Sequence, residues 1–280
     1  MQMNPDECRA YLDKIHRLNF KMLCEVDRIC RKHKIHYYLL AGTLLGAIRH
    51  KDFIPWDDDV DIVMPRKDYM RFLKVCRDEL APEYKLVDPA QYDDFFDFIA
   101  RVTDITVTFE HQKADTDYYK GRYSHPSVDL FIFDNAGKFF KLRLTALRVV
   151  YALAMGHRKS VEFDKYTGIQ KIGAYILPAI GRFIPMKYIF KLYDSISSGS
   201  GMEDSFYISN DQQKAPYWGR EYKKSWFAKR IWGRIGDRHF PCPVGYDEEM
   251  TMIYGDYMKI PPVEKQVPEH FFELKENLEG

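Results

Sequence analysis

A chain of 280 residues with a net charge of +1 has room for one large domain, or for a core with an appended subdomain. Its near-neutral charge argues against a nucleic-acid-binding protein, since such proteins carry a clear excess of basic residues. The sequence shows no apolar run of about 18 residues and no signal-peptide pattern, and its five cysteines lack metal-site spacing, so we expect a cytoplasmic protein with reduced thiols.

The first predicted element is a long amphipathic helix over residues 5–33, which begins at a proline suited to a first turn. A buried strand is expected over residues 37–41. Gly42 and Thr43 interrupt the apolar pattern, and a short helix is predicted over residues 44–49. A glycine here lets the backbone N–H groups of the next helix approach a phosphate, and an ordinary turn is the alternative.

An acidic cluster follows, with four aspartates in five positions: Asp57, Asp58, Asp59 and Asp61. Carboxylates this close repel one another unless cations neutralise them. A strand predicted over residues 60–64 places Asp59 and Asp61 on one face, because side chains alternate along a strand. Two such carboxylates can hold a divalent cation that bridges substrate phosphates. The alternative is an acidic turn paired with Arg49 or Arg66.

The middle of the chain is predicted to contain one helix, over residues 65–80, and strands over 84–88, 95–102, 105–110 and 127–134. Asp129 lies within the last of these strands, where an isolated carboxylate is costly unless it has a partner. If this strand lies beside residues 60–64, the metal site is that partner. Arg101 and Asp104 form either an ion pair in the sheet or a phosphate clamp.

Residues 138–193 combine apolar runs with eleven basic and only two acidic residues, a net charge of +9. This composition indicates a helical subdomain whose basic face meets either a nucleotide or an anionic membrane surface. An ordinary helical subdomain is the alternative. A Ser/Gly-rich loop is predicted over residues 195–204. We therefore divide the chain into a catalytic core (1–137), a basic helical subdomain (138–204) and an aromatic C-terminal segment that packs back on the core (205–280).

The Gly-Thr turn, the acidic cluster and the later strand carboxylate are together similar to the signature of the nucleotidyltransferase fold. More specifically, the sequence resembles the LicD family of phosphocholine transferases, to which fukutin-related proteins are linked. The resemblance lies in residues 42–50, 53–61, 254–257 and 261–262. Asp52 departs from the pattern, because such proteins often have glycine there. The resemblance implies an α+β fold with a nucleotidyltransferase-like mixed sheet flanked by helices.

The resemblance also implies a transferase that moves phosphocholine from CDP-choline to a sugar hydroxyl of a glycan or lipid-linked glycan acceptor. A teichoic-acid or lipopolysaccharide precursor is the expected acceptor. Asp59, Asp61 and Asp129 would hold Mg²⁺, or Mn²⁺ in its place, and carry the catalysis. Gly42 and Thr43 would position phosphate oxygens.

Further residues have supporting roles in this interpretation. Arg49, with His50 and Lys51 beside it, would neutralise charge in the transition state. Asp57 and Asp58 would be outer or substitute metal ligands. A quaternary ammonium group binds to aromatic faces, and four tryptophans are candidates for that contact: Trp56, Trp218, Trp226 and Trp232.

Other functions stay open at the level of the sequence. A nucleotidyltransferase would use the same residues but release pyrophosphate. A catalytically inactive, membrane-docking nucleotide-binding protein would use residues 138–193 as its working surface. A glycosyltransferase with a DxD metal site leaves the Gly-Thr turn and Asp129 unexplained. In the preferred interpretation the protein has no nucleic-acid partner and contacts the inner face of the membrane peripherally through residues 138–193.

Overall fold

The computed structural model forms two compact units and describes residues 5–110, 117–159, 168–198, 204–210, 217–268 and 273–276. Unit 1 comprises Met1–Val87, Arg101–Phe131 and Lys224–Gly280, and unit 2 comprises Asp88–Ala100 and Ile132–Lys223. The predicted basic subdomain, 138–204, therefore lies within unit 2. The predicted C-terminal segment is divided, since residues 205–223 belong to unit 2 and the remainder to unit 1.

Helix α1, Pro5–His33, has the bounds that the sequence predicts. Its apolar stripe is buried, with Ile15, Met22 and Val26 almost fully excluded from solvent. Basic residues occupy the last turn, where they complement the partial negative charge at a helix C-terminus. Burial of this stripe, more than intrinsic helix propensity, is what stabilises such a helix.

The central sheet has the strand order β1-β2-β6-β4-β3. Its strands are β1 (Tyr38–Leu39), β2 (Val60–Pro65), β3 (Tyr84–Val87), β4 (Ala100–Asp104) and β6 (Ser127–Asn135). β1 is shorter than the predicted strand over 37–41, and β2 pairs with it in antiparallel orientation. Helix α3, Arg66–Glu79, packs against α1, β2 and β3. This mixed sheet with flanking helices confirms the predicted α+β class.

Two helical pieces lie between β1 and β2 in the chain. Helix α2, Ala41–Leu45, continues directly into a π-helical segment, Gly46–His50. Ala41 begins α2 with φ of 47°, in the left-handed region, which costs an L-residue about 1 kcal/mol. The Leu40 N–H group donates to Asp61 O at 3.0 Å. This hydrogen bond ties the strained turn to β2.

The prediction of a strand over 95–102 is wrong in its first half, because β4 begins only at Ala100. The Asp97 carboxylate accepts hydrogen bonds from the N–H groups of Phe98 and Ile99, at 2.7 and 3.2 Å. Such local side-chain bonds replace the strand ladder. The phenyl ring of Phe98 packs instead on Tyr193 within unit 2, with a centroid distance of 4.1 Å.

Unit 2 is mainly helical, with α4 (Phe140–Ala154), α5 (Gly168–Gly181) and α6 (Met186–Ser197). α4 packs against both α5 and α6. The end of β6 pairs with β7 (Ser205–Tyr207), which pairs with β8 (Tyr222–Lys223). The loop predicted over 195–204 starts later than expected, since α6 runs to Ser197; residues 199–203 lie outside the described part of the chain.

Unit 1 is completed by a hairpin, a helix and one more strand pair. The hairpin joins β9 (Arg230–Ile235) to β10 (Arg238–Pro243), helix α7 spans Tyr246–Tyr254, and β11 (Glu273–Glu276) pairs with β5 (Val107–Glu110). A Cβ atom on Gly233 of the hairpin would stand 2.9 Å from Ala47 Cβ, so the hairpin backbone lies directly on the π-helical segment. Among the described residues, every helix is too short or too polar to cross a membrane.

Candidate active site

The acidic segment is held from one side by α1. The Tyr11 hydroxyl donates to Asp58 Oδ2 at 3.3 Å, and Asn19 Nδ2 donates to Asp58 O at 3.2 Å. His16 Nε2 lies 2.7 Å from Asp57 O, and its ring stacks on Phe53 at a centroid distance of 5.2 Å. Burial and the Asp58 charge raise the pKa of Tyr11, so its hydroxyl remains a donor.

Asp57 lies against the turn that opens α2. A Cβ atom on Gly42 would overlap Asp57 Oδ2, so a larger residue at this position requires the Asp57 side chain to move. The sequence predicted a phosphate at this turn, and the structure shows an anionic group of the protein beside it. Backbone N–H groups at the start of a helix favour anions of either kind. The assignment of Gly42 to phosphate binding stays a prediction.

Thr43 joins α2 to β2. Its Oγ1 accepts a hydrogen bond from the Asp61 N–H group at 2.9 Å, and its side chain is buried. Because Leu40 N also bonds to Asp61 O, both backbone polar groups of Asp61 are fixed from the α2 turn. Thr43 thus sets the position of the Asp61 backbone, and its predicted contact with phosphate stays a prediction.

Asp59 and Asp61 occupy the half-buried positions around the start of β2. Val60 and Ile62, which alternate with them, are fully buried. The alternation expected from the sequence is therefore present, with apolar side chains in the core and carboxylates on the opposite face. Asp58, which the sequence treated as an outer or substitute ligand, is buried and its Oδ2 accepts from Tyr11 of α1. Its role as a ligand stays a prediction.

Asp129, on β6, has an arginine partner. Arg101 Nε lies 2.8 Å from Asp129 Oδ1, and Arg101 Nη2 lies 3.3 Å from Oδ2. Ser127 Oγ also donates to Oδ1 at 3.0 Å. The sequence argument took the partner of this carboxylate to be a metal site, whereas in the structure a guanidinium satisfies both oxygens. Asp104 does not pair with Arg101 in these contacts, because its Oδ1 accepts from the Thr106 N–H group at 2.9 Å.

The predicted metal ligands are compared here with the side chains that the structure brings together. In the part of the chain that the structure describes, no three His, Cys, Asp or Glu side chains are arranged to hold a metal ion. Asp59 and Asp61 nevertheless fit Mg²⁺, which binds through one or two carboxylates and takes its other ligands from phosphates and water. Asp129 fits only if Arg101 moves away from it. The residues present therefore suit a cation that arrives with a diphosphate.

Arg49 and His50 lie at the end of the π-helical segment. Arg49 Nη1 donates to Tyr257 O at 2.6 Å and to Lys259 O at 3.3 Å, which ties the C-terminal tail to this segment. Burial lowers the pKa of Arg49, but a guanidinium stays charged at neutral pH. Burial and the Arg49 charge lower the pKa of His50, so at neutral pH His50 is a neutral ring. The rings of His50 and Trp56 are perpendicular to each other, with their centroids 5.6 Å apart.

The four candidate tryptophans lie in different surroundings, and one of them, Trp232, is 50% exposed on β9. Trp56 is half-buried beside His50. Trp226 packs on the backbone of Gly245 at the start of α7. Trp218 belongs to unit 2, where the Arg148 guanidinium stands 3.4 Å from its ring centroid. Among the ring contacts described for these tryptophans, that of Trp56 with His50 is the one that joins two predicted site residues.

Three residues of α1 that hold the acidic segment were not predicted from the sequence: Tyr11, His16 and Asn19. One signal was present. Asn19 lies four residues after Ile15 and three before Met22, on the apolar face of the helix, where a buried amide needs hydrogen-bond partners. The Arg101–Asp129 pair had no such local signal, because 28 residues separate its members.

Comparison with known proteins agrees with this architecture. Residues 34–167 match the family described as "LicD/FKTN/FKRP, nucleotidyltransferase domain", and these residues include β1, β2, β6 and the acidic segment. The chain belongs to this family.

The individual relatives cover different lengths of the chain. The lipopolysaccharide cholinephosphotransferase LicD of Haemophilus influenzae is 33% identical over 278 residues, which cover 95% of this chain and 94% of that protein. The ribitol 5-phosphate transferases FKRP of mouse and human are 61% identical over 28 residues, 10% of this chain and 6% of each relative. The similarity to LicD therefore extends over both units, whereas the similarity to FKRP is local.

Proposed function

We propose that the chain transfers phosphocholine from CDP-choline to a sugar hydroxyl of a lipopolysaccharide or teichoic-acid precursor and releases CMP. The observation that carries this proposal is the 33% identity to the lipopolysaccharide cholinephosphotransferase LicD over 95% of the chain. The site supports it, because two half-buried carboxylates lie on one face of β2 beside a helix-opening turn.

The metal-binding groups in this proposal are Asp59 and Asp61. A bound Mg²⁺ supplies electrostatic stabilisation of the diphosphate and of the leaving phosphate oxygen. Thr43 Oγ1 holds the Asp61 N–H group at an N–O distance of 2.9 Å. The contacts of α1 with Asp57 and Asp58 hold the residues before Asp59. Such fixed positions limit the reorganisation that the transition state requires.

The transfer itself needs an attacking group, a leaving group and a proton acceptor. The acceptor hydroxyl oxygen attacks the phosphorus that carries choline, the bond from this phosphorus to the CMP oxygen breaks, and the hydroxyl proton passes to a base. Asp129 is the proposed base and third carboxylate, and it takes either role only when the Arg101 guanidinium turns away. Arg49, which stays charged, neutralises negative charge on the phosphoryl oxygens.

A quaternary ammonium has no N–H group to donate, so choline is bound by aromatic faces through cation–π attraction. Trp56 is the first candidate for this contact, since it lies beside neutral His50. Trp226 is the second, and Trp218 is third because it belongs to unit 2.

Product analysis tests the proposal against its closest alternative. The chain is incubated with CDP-choline, Mg²⁺ and candidate glycan acceptors, and the products are analysed by mass spectrometry. Release of CMP with a phosphocholine adduct on the glycan is the expected result. A nucleotidyltransferase acting on a nucleoside triphosphate would instead release pyrophosphate and add a nucleotide to the acceptor.

We further propose that the protein works at the cytoplasmic face of the membrane and contacts anionic lipid through unit 2. In this unit, several large apolar side chains are exposed beside basic ones. Phe183 is 85% exposed, next to Arg182 in the turn between α5 and α6. Apolar side chains flanked by basic residues dock on anionic bilayers through both burial and charge.

The helices on both sides of this turn continue the same pattern. On α5, Ile176 and Ile180 are exposed at a spacing of four and so share one face, and Phe183 follows in the turn after the helix. On α6, Tyr188 and Leu192 form a second exposed pair at the same spacing. Membrane contact through this turn would bring the chain to a lipid-linked acceptor.

A further inference from the structure

A groove on unit 1 surrounds Trp232 on the outer face of β9. Two cavities, of about 560 and 350 Å³, adjoin each other here and share Asp27, Arg31 and Trp232 in their walls. Trp232 is 50% exposed, which leaves much of a large aromatic ring open to solvent. Cavities of this size accommodate small ligands or several units of an oligomer.

The groove contains an arginine that is held in position before any ligand arrives. Arg31 Nε lies 2.5 Å from Asp27 Oδ2, and Arg31 Nη2 donates to His239 O at 3.0 Å. Asp27 is only 5% exposed and also accepts from the Tyr37 hydroxyl at 2.8 Å. The Arg31 side chain remains 55% exposed, so its fixed guanidinium can still meet a ligand.

The groove is electropositive. Its walls contain more cationic than acidic side chains, although Arg28 is paired with Glu25 outside the walls: Arg28, Arg31, Lys34, Arg230 and Arg238 against Asp27 and Asp237. The chain as a whole has a net charge of only +1, so this surface is distinct from the average. Arginine forks bind phosphate oxygens in pairs, so an excess of arginines favours a phosphorylated ligand.

The aromatic ring specifies the other half of the ligand. The Arg31 and Arg230 guanidinium carbons stand over the Trp232 ring, 5.0 and 6.0 Å from its centroid, and the half of the side chain that stays exposed adjoins this charge. The C–H face of a sugar ring packs on such a surface while its phosphate reaches the arginines. We propose that this groove binds a phosphorylated glycan and is the recognition site for the acceptor of the proposed transfer. The inference rests on that proposed function.

The hairpin that carries Trp232 also holds the segment of Arg49 and His50. Arg234 Nε donates to Lys51 O at 3.1 Å, and the Gly236 N–H group donates to Asp52 Oδ1 at 3.3 Å. A ligand in the groove therefore binds to the same hairpin that positions residues of the candidate site. The hairpin therefore links the groove to the candidate site, as an acceptor-binding site requires.

Binding is measured by calorimetry and by tryptophan fluorescence, without CDP-choline, using lactose 1-phosphate, lactose and inorganic phosphate as probes. The expected affinity for lactose 1-phosphate is at least about tenfold higher than for either fragment. Trp232→Ala and Arg230→Ser each weaken it at least about fivefold. Arg77→Ser, which removes an exposed arginine of unit 1 outside the groove, leaves it unchanged.

Two results would overturn the inference. One is equal binding of the sugar phosphate and of inorganic phosphate, or unchanged binding in both groove variants. The other is tighter binding of a single-stranded oligonucleotide than of the sugar phosphate, which would make the groove a nucleic-acid site. Because no turnover is measured, a chain that binds the probe but transfers nothing contradicts the proposed function alone. Unchanged acceptor KM in the groove variants of an active chain contradicts the groove alone.

Discussion

Gly42 is the residue whose replacement tests the local geometry of the site most simply. A Cβ atom there would overlap Asp57 Oδ2, whereas one on Gly173 of α5 would contact nothing within 4 Å. We expect Gly42→Ala to lower the free energy of unfolding by about 1–3 kcal/mol, as overpacking does. Gly173→Ala should be neutral, or stabilising by about 0.5–1 kcal/mol, because alanine favours a helix. Urea denaturation of the two variants measures the difference.

A double-mutant cycle identifies the cause of the Gly42→Ala effect. If the Asp57 carboxylate is the obstacle, Asp57→Ala should restore most of the stability that Gly42→Ala removes, and the two changes should be non-additive. Additive losses would show that the side chain of Asp57 is not what excludes a larger residue at position 42.

At the residue scale, the sequence predicts what depends on local geometry. Strand alternation alone places Asp59 and Asp61 together, and the structure shows the matching burial of Val60 and Ile62. The Asp129 partner was not predictable in this way. A half-buried carboxylate within a strand implies only that some cation is near it, and the choice between a metal and Arg101 depends on how β4 lies beside β6.

At the scale of elements, α1 acts as a support for the acidic segment. Its Tyr11 hydroxyl bonds to Asp58, and on β1 the Tyr38 hydroxyl bonds to Phe227 O at 2.6 Å. The two rings are similarly buried, at 7% and 6% exposure. They form a matched pair, since each hydroxyl donates to an oxygen of unit 1 and is lost on substitution by phenylalanine.

We expect Tyr11→Phe and Tyr38→Phe each to destabilise the fold by about 0.5–3 kcal/mol, the range for one hydrogen bond and the partner it leaves. Only Tyr11→Phe should also lower kcat, by at least about threefold, because it releases the segment before Asp59. Thermal unfolding and kcat at 25 °C are measured for both. Equal kcat values in the two variants would show that the Tyr11 contact from α1 does not position the site.

Element bounds follow from the sequence where capping and periodicity agree, as in α1 and α3. They do not follow where a side chain competes with the backbone, as Asp97 does in the stretch before β4. Pro185 directly precedes α6, whereas Pro178 lies inside α5, where a proline removes one backbone hydrogen bond from the helix.

At the scale of the whole molecule, the membrane proposal predicts a dependence on lipid charge. The protein should co-sediment with vesicles of phosphatidylglycerol and phosphatidylcholine more than with phosphatidylcholine alone, and binding should weaken as salt rises. Phe183→Asp should reduce binding at least about tenfold. Val263→Asp, which alters a 76% exposed apolar residue of unit 1, should not.

Two outcomes would contradict the membrane proposal. Binding that is indifferent to anionic lipid and to salt would leave unit 2 as an ordinary helical unit. A concentration-dependent dimer that Phe183→Asp dissociates, seen by sedimentation without lipid, would show that a second copy of the chain covers the apolar turn.

The assignment of the metal-binding carboxylates is tested most directly by Mg²⁺-dependent release of CMP from CDP-choline in the presence of acceptor. Asp59→Ala and Asp61→Ala should each reduce kcat at least about 100-fold with an unchanged circular dichroism spectrum, because each removes a proposed metal-binding carboxylate. Asp78→Ala, an exposed carboxylate on α3, is the control and should retain full activity. Full Mg²⁺-dependent turnover in both site variants would contradict the account.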